Sequence, residues 1–280
     1  MELTKQTVRE IIQKPGIDGM IEHIDYCAGI CYNRHGLSKD SYKFVRSLYE
    51  RGHMRPLEFG TVNLAIPFVD FINDYTGNLY DILESPYTKS FYDNDDKMRY
   101  ITTNFRVICE VFKDFDEALD FIKTYYSDHN YIPRRTVAWK CARVIADEFR
   151  THITLSSLMK STRYVNEMKK GMAFTIPYWF NYNENGEYPE NSKERLFLRH
   201  CAESENTYNR CVNEFNMKPQ EARDFLPLGL ETELYQCGFS EVDGIGWQRF
   251  FEMRTDSAAH EDAQWLSKEL KSIFENSSAK

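Results

Sequence analysis

The sequence lacks several things, and each absence removes a class of function. It has no basic surplus: 35 Lys and Arg stand against 43 Asp and Glu, a net charge of −8. That argues against a general nucleic-acid coat, which needs net basic surface, and leaves room only for local pockets that take a small anion. It has no C-x-x-C pair. The seven cysteines stand at 27, 31, 109, 141, 201, 211 and 237, and Cys27-x-x-x-Cys31 has no second cluster to complete a zinc site, so no metal is expected. An odd cysteine count without a secretory leader reads as reduced thiols, mostly packed in a core. The opening M-E-L-T-K-Q-T-V-R-E has no apolar signal core, and no run reaches transmembrane length. A cytoplasmic protein with no membrane partner is the expectation. No repeat, low-complexity block or linker divides the chain, so residues 1–280 are expected to form a single domain.

What is present supports a large core: 42% hydrophobic and 15% aromatic residues in 280. The spacing of Val8, Ile11 and Ile12 predicts a helix over 4–14, stopped by Pro15-Gly16. Further helices are expected over 18–32, 41–51, 115–126, from Asn191 to about 215, from Pro219, and over 247–254. Asn191 and Glu194 have the form of a capping box. Residues 61–68 alternate, with apolar side chains at 62, 64, 66 and 68, which marks a half-buried strand. Residues 70–97 read as a polar surface excursion over short helices. Runs near 59–68, 100–108, 134–141, 172–179 and 230–237 are expected to build a central, largely antiparallel sheet flanked by long helices. The fold class is mixed α/β.

The densest polar chemistry lies between Asp147 and Asn166, with Glu148, Arg150, His152, Ser156, Ser161, Arg163 and Tyr164. Ser161 and Thr162 hydroxyls beside the Arg163 guanidinium make a phosphate cradle. No Asp/His relay accompanies Ser161, which argues for a ligand contact over a nucleophile. Arg254 closes an aromatic stretch, 247–254. There it either caps a helix C-terminus, where a cation is favoured by about 0.3–1 kcal/mol, or aims its fork into a cleft. For any single arginine the alternative is a salt bridge. For His152 it is helix packing, and for His53 and Glu58 it is a helix end and a turn cap.

The 147–166 stretch resembles the signature of flavin-dependent thymidylate synthases: Arg-His-Arg, seven residues, Ser, then x-Arg-Tyr. His152 falls on the central His, Ser156 on an internal Ser, Ser161-Thr162-Arg163-Tyr164 on the closing motif, and Glu148 on the upstream Gln or Glu. Thr151 and Ile153 stand where the family has its two arginines. His53 and Glu58 match a His-x-Ser/Thr-x-x-Glu-His stretch, in which Arg55 and Phe59 are departures. Ala222-Arg223-Asp224-Phe225-Leu226-Pro227 resembles Ala-Arg-x-x-Leu-Pro. Residues 247–254, then Asp256, Ser257, Ala263 and Gln264, resemble the family's aromatic helix and its continuation, with Arg249 in place of an Asn. The ordered blocks run from about residue 20 to 270.

The resemblance implies reductive methylation of dUMP to dTMP, with methylenetetrahydrofolate as carbon donor, FAD as relay and NADPH as reductant, in a homotetramer that shares its active sites. It implies a dUMP site of Glu148, Ser161, Thr162, Arg163, Arg223 and Arg254, with Arg254 the catalytic residue facing the pyrimidine. It implies an FAD site of His53, Arg55, Glu58, Thr151, His152, Ile153 and Arg249. Losing two charge-assisted contacts at 151 and 153 costs roughly 1.5–3 kcal/mol each unless Arg150, Arg55 or Arg249 compensates. Reinstating both arginines is expected to tighten FAD. Two other readings stay open: a related flavin enzyme placing another one-carbon group on a pyrimidine nucleotide, and a flavin-free paralogue that binds nucleotide or a protein.

Overall fold

The structure is a computed structural model and describes residues 1–74, 76–129, 132–163, 171–183 and 185–278. In chain order the elements are β1 Glu2–Thr4, β2 Thr7–Ile11, α1 Gly16–Gly29, α2 Ser41–Glu50, β3 Thr61–Pro67, α3 Phe68–Ile72, α4 Asn78–Glu84, β4 Lys89–Asp93, β5 Met98–Asn104, α5 Phe105–Phe112 and α6 Phe115–Tyr125. Next come β6 Arg134–Ala142, α7 Arg143–Phe149, β7 Ser156–Met159, β8 Ala173–Thr175, α8 Lys193–Asn213, α9 Pro219–Ala222, β9 Glu231–Phe239, α10 Gly246–Arg254 and α11 Glu261–Ser278. Short 3₁₀ turns lie at Arg55–Phe59 and Arg223–Phe225.

The chain is mixed α/β with antiparallel pairing, as expected, but its strands fall into three sheets instead of one. A four-stranded sheet has the order β2-β6-β9-β7, and a three-stranded sheet has the order β3-β5-β4. The short β8, drawn from the expected 172–179 strand, lies outside both and pairs in parallel with β1. β3 behaves as its alternation dictates: Val62, Leu64 and Ile66 are buried, and the residues between them are not.

The N-terminal helix expected over 4–14 is instead strand. β2 runs antiparallel to β6, with Val8 opposite Trp139. Val8 is buried while Ile12 is 73% exposed, so the three apolar residues never share one helical face. A ladder along a nine-residue neighbour outweighs a short, marginal helix. Residues 70–97 also hold a strand, β4, beside the expected short helices. α8 is capped by the Ser192 hydroxyl, which accepts from the Arg195 N–H at 3.1 Å; Asn191 is not the cap. Glu194 accepts from Asn181 at the same end of the helix. All seven cysteines are free, and six are buried. Among the described residues no helix is long and apolar enough to cross a membrane.

Two cores matter for the site. One joins α1, α2, α5 and α6 to β3 and β5 through Ile24, Leu48, Leu64, Phe105 and Ile122. The other sets α7, α10 and α11 on the four-stranded sheet through Trp139, Phe149, Trp247, Phe250 and Leu266. Trp139 and Phe149 lie 4.7 Å apart between centroids, and Phe149 meets Phe250 edge-on at 5.0 Å. Fully burying each such side chain contributes about 1.5–3 kcal/mol. Phe250 and Phe251 therefore face inward, as the helical spacing of 247–254 predicts.

Candidate functional site

Gln236 fixes the framework of the site. It is fully buried in β9, and its amide is satisfied on three sides. The oxygen accepts from the Trp139 indole at 3.0 Å; the nitrogen donates to the Phe149 carbonyl at 3.0 Å and to the Ser157 hydroxyl at 3.1 Å. Removing it would strand several buried polar groups at once. One side chain thus ties β6, β9, the end of α7 and β7 together, and the turn 150–155 is stretched between the last two.

The far end of that turn holds α10. The Thr154 hydroxyl accepts from the Gly246 N–H at 3.0 Å. Gly246 needs to be glycine: its φ is +54°, and a Cβ there would sit 2.2 Å from the Phe239 carbonyl oxygen. With α10 placed this way, Arg254 in its last turn reaches back over α7. Its Nε donates to His152 Nε2 at 2.9 Å. Nη1 donates to the Glu148 carboxylate at 3.1 Å, and Nη2 to the Glu148 carbonyl at 2.9 Å and the Thr151 hydroxyl at 3.1 Å.

His152 is buried beside this guanidinium, its ring 4.9 Å from that of Phe250. Desolvation, then the charges of Arg254 and Arg249, push its pKa down to about 4. Because Nε2 accepts, the neutral ring carries its proton on Nδ1.

A second assembly lies just beyond the turn. β7 enters the sheet beside β9, and Lys160 continues the pairing with an N–H to the Glu233 carbonyl at 2.9 Å. Phe59 packs with Leu158 and Tyr235, which brings the 3₁₀ turn carrying Arg55 over β7. The Arg143 and Val144 N–H groups bond the carbonyls of Leu230 and Leu228, which docks the segment after Arg223 against the start of α7. Together these border an open cavity of about 460 Å³ lined by Arg55, Arg143, Arg150, Lys160, Arg163 and Arg223, by Ser157, Ser161 and Thr162, and by Leu158 and Met159. No carboxylate lines it among the described residues. Arg150 also pairs with Asp147 at 3.1 Å, an exposed contact. Such a cavity is suited to phosphate.

The sequence-derived candidates are thus divided. Arg55, Ser161, Thr162, Arg163 and Arg223 share the basic cavity. Glu148, Thr151, His152 and Arg254 bond one another. Glu58 is buried, with its carboxylate on Arg106 at 2.5 Å and its carbonyl on Arg134. Arg249 is exposed and pairs with Glu252 at 3.0 Å, while Ile153 is 87% exposed. His53 is exposed on the approach to Arg55. Tyr164 lies outside the described residues. Sequence reasoning missed Arg143, Ser157 and Lys160. Lys160 was within reach, as the first residue of a Lys-Ser-Thr-Arg run, whereas Arg143 carries no local signal and joins the cavity only through the docked 228–230 segment.

A family model described as thymidylate synthase complementing protein matches residues 132–277, just over half of the chain. The chain belongs to that family. The matched region contains both assemblies except for Arg55. Two crystal structures of thymidylate synthase ThyX from Helicobacter pylori, each with FAD and dUMP, are also similar, at 20% identity and TM-scores of 0.37 and 0.38. In each case 49% of this chain is covered and 65% of the other, so the match spans less than two thirds of those chains. No curated protein sequence matches.

Proposed function

We propose that this family member makes dTMP from dUMP by reductive methylation, with methylenetetrahydrofolate as carbon donor, FAD as relay and NADPH as reductant. The observation that carries the reading is the basic cavity, formed largely from the motif stretch and lined with phosphate donors. Ser161, Thr162, Arg163 and Arg223 hold the nucleotide phosphate, the two guanidiniums in bidentate fashion. The protein's part is position and electrostatics, while bound flavin supplies the carbon relay and redox chemistry.

The fit to flavin depends on which polar groups still have capacity for a ligand. The cavity's donors, Arg55 foremost, suit the cofactor's phosphates. Glu58 and Thr151 spend their polar groups on Arg106, Arg254 and Glu148, and His152 gives its Nε2 to Arg254; Arg249 holds Glu252 only in an exposed i,i+3 pair, which a ligand displaces at little cost. Arg55, His53 and Arg249 therefore carry the flavin reading, with Ile153 offering only an apolar surface. Arg254 facing the pyrimidine remains the proposed catalytic arginine. That role requires its fork to exchange Glu148 and Thr151 for substrate.

The three engaged groups, Glu58, Thr151 and His152, favour a second reading, a flavin-free nucleotide-binding paralogue. Purified protein incubated with FAD, dUMP, methylenetetrahydrofolate and NADPH separates the two. Retained flavin absorbance and chromatographic dTMP support the first. A colourless protein that still binds dUMP supports the second. A homotetramer, a cytoplasmic location and organisation of all 280 residues as one domain belong to the first reading, and a monomer by light scattering at micromolar concentration would remove the tetramer.

A further inference from the structure

The three-stranded sheet β3-β5-β4 ends differently on its two sides. On the β3 side the chain covers its own edge. The Gln13 amide bonds both the N–H and the carbonyl of Thr61 at 2.8 Å. Tyr126 forms a bridge with Leu64, and the Ser127 N–H donates to the Asn63 carbonyl at 3.0 Å. On the other side, β4 has β5 as its one neighbouring strand among the described residues. An edge strand of this kind is a template for a further strand. β4 also belongs to the part of the chain outside the family match.

The charges on β4 decide which strand fits. It reads Lys89-Ser90-Phe91-Tyr92-Asp93, so its cation and its carboxylate sit at opposite ends of one face. Among the described residues neither is in an ion pair; the Asp93 carboxylate accepts the Asp95 N–H of its own turn at 2.9 Å. A Lys on an edge ordinarily keeps other strands away. A second copy of β4, antiparallel and centred on Phe91, reverses that effect, because it sets Lys89 of each copy opposite Asp93 of the other. Opposite charges directly across a ladder stabilise it, and like charges destabilise it. The whole chain carries −8, so two copies repel at long range and need such a local attraction to meet. α3 adds apolar surface at the Asp93 end: Phe68 packs on Tyr92 at 5.1 Å between centroids, and Val69 and Ile72 are exposed. Antiparallel pairing carries that surface towards the Lys89 end of the second copy, where Tyr87 is exposed.

We propose that β4 is a self-pairing edge. Two copies of the chain associate through antiparallel β4 strands, which join their three-stranded sheets into one, and reciprocal Lys89–Asp93 ion pairs set the register. The contact uses the same surface on both copies, as a two-fold pair requires. It depends on neither the flavin nor the nucleotide reading.

The test is the oligomeric state of the full-length protein and its charge variants, by light scattering and sedimentation at fixed ionic strength. The wild type should form an even-numbered assembly at micromolar concentration. Lys89→Asp places carboxylates opposite one another at both ends and should weaken the association by about tenfold or more. Asp93→Lys should do the same with two ammonium groups. The double variant Lys89→Asp/Asp93→Lys should return to within about threefold of the wild type. An equimolar mixture of the two single variants should also associate, since each supplies the charges that the other lacks. That rescue separates pairing between copies from damage within one fold. A monomeric wild type overturns the inference together with the proposed tetramer. An assembly that Lys89→Asp leaves intact, or one that neither the double variant nor the mixture restores, overturns the inference alone and leaves the tetramer to other surfaces.

Discussion

Arg150 and Arg254 illustrate two uses of one residue type on opposite sides of a single turn. Arg150 points its charge along a cavity wall with only an exposed carboxylate beside it. Arg254 is largely buried, and every nitrogen of its fork donates to the protein, to Glu148, Thr151 and His152. The cavity side of the turn has charge to give to a ligand; the α10 side uses its charge to hold the fold. Substitutions on the two sides should therefore separate stability from binding.

The largest stability effect is expected for Arg254→Ala. It removes the fork's hydrogen bonds and leaves the half-buried Glu148 carboxylate without its cation, a loss of about 2–4 kcal/mol. Thermal unfolding should show the midpoint falling by several degrees. Arg254→Lys keeps the charge and loses the planar fork. It should fold and retain flavin yet lose methylation tenfold or more, about 1.4 kcal/mol in barrier. Near-normal turnover would confine Arg254 to its structural role.

The next largest effect concerns acid. Burial of His152 and His23 brings both pKa values down to about 4, with help from Arg254 and Arg249 for the first and Arg134 for the second. Because the folded values lie below the unfolded one near 6.5, the unfolded chain takes up these protons first. Stability is therefore full above about pH 6.5 and falls as pH drops towards 4, by roughly 3 kcal/mol per histidine at most. Denaturant midpoints measured from about pH 7.5 to 4.5 should show that slope. His152→Gln should flatten it, since a neutral amide can accept from Arg254 without titrating; an unchanged slope would remove His152 from this account.

A smaller effect sharpens the contrast at the two positions where the family's arginines are missing. The Thr151 hydroxyl donates to the Glu148 carbonyl at 2.7 Å and accepts from Arg254. Thr151→Arg would set a second guanidinium beside the first and lose both bonds, costing about 1 kcal/mol. Ile153→Arg, at an exposed position, should stay within about 0.5 kcal/mol of the parent. The tightening of FAD expected from restoring both arginines should then come from position 153, and titration of each single variant with FAD checks it.

Local pattern in the sequence encodes only part of this picture. Alternation at 61–67 marks β3, and the spacing of Trp247, Phe250 and Phe251 marks the buried face of α10. Local pattern fails where a distant partner decides. Val8, Ile11 and Ile12 fit a helix until β6 is beside them, and of the 172–179 run only Ala173–Thr175 is strand, paired with β1 outside the four-stranded sheet. The site shows the same limit. The arginines could be named from motif and chemistry, but whether a fork meets solvent or Glu148 depends on how α10 crosses α7. Gly246 and the Trp139–Phe149–Phe250 packing settle that crossing, and of these Gly246 and Trp139 lie outside the motif stretches.

The contrast comes down to whether the cavity, and not the Arg254 cluster, takes the nucleotide phosphate. The most direct measurement is the dUMP affinity and melting temperature of Arg223→Ala, a change at an exposed position on the cavity rim. The account predicts at least a tenfold loss of dUMP affinity with stability within about 0.5 kcal/mol of the parent; parental affinity in a folded Arg223→Ala protein would contradict it.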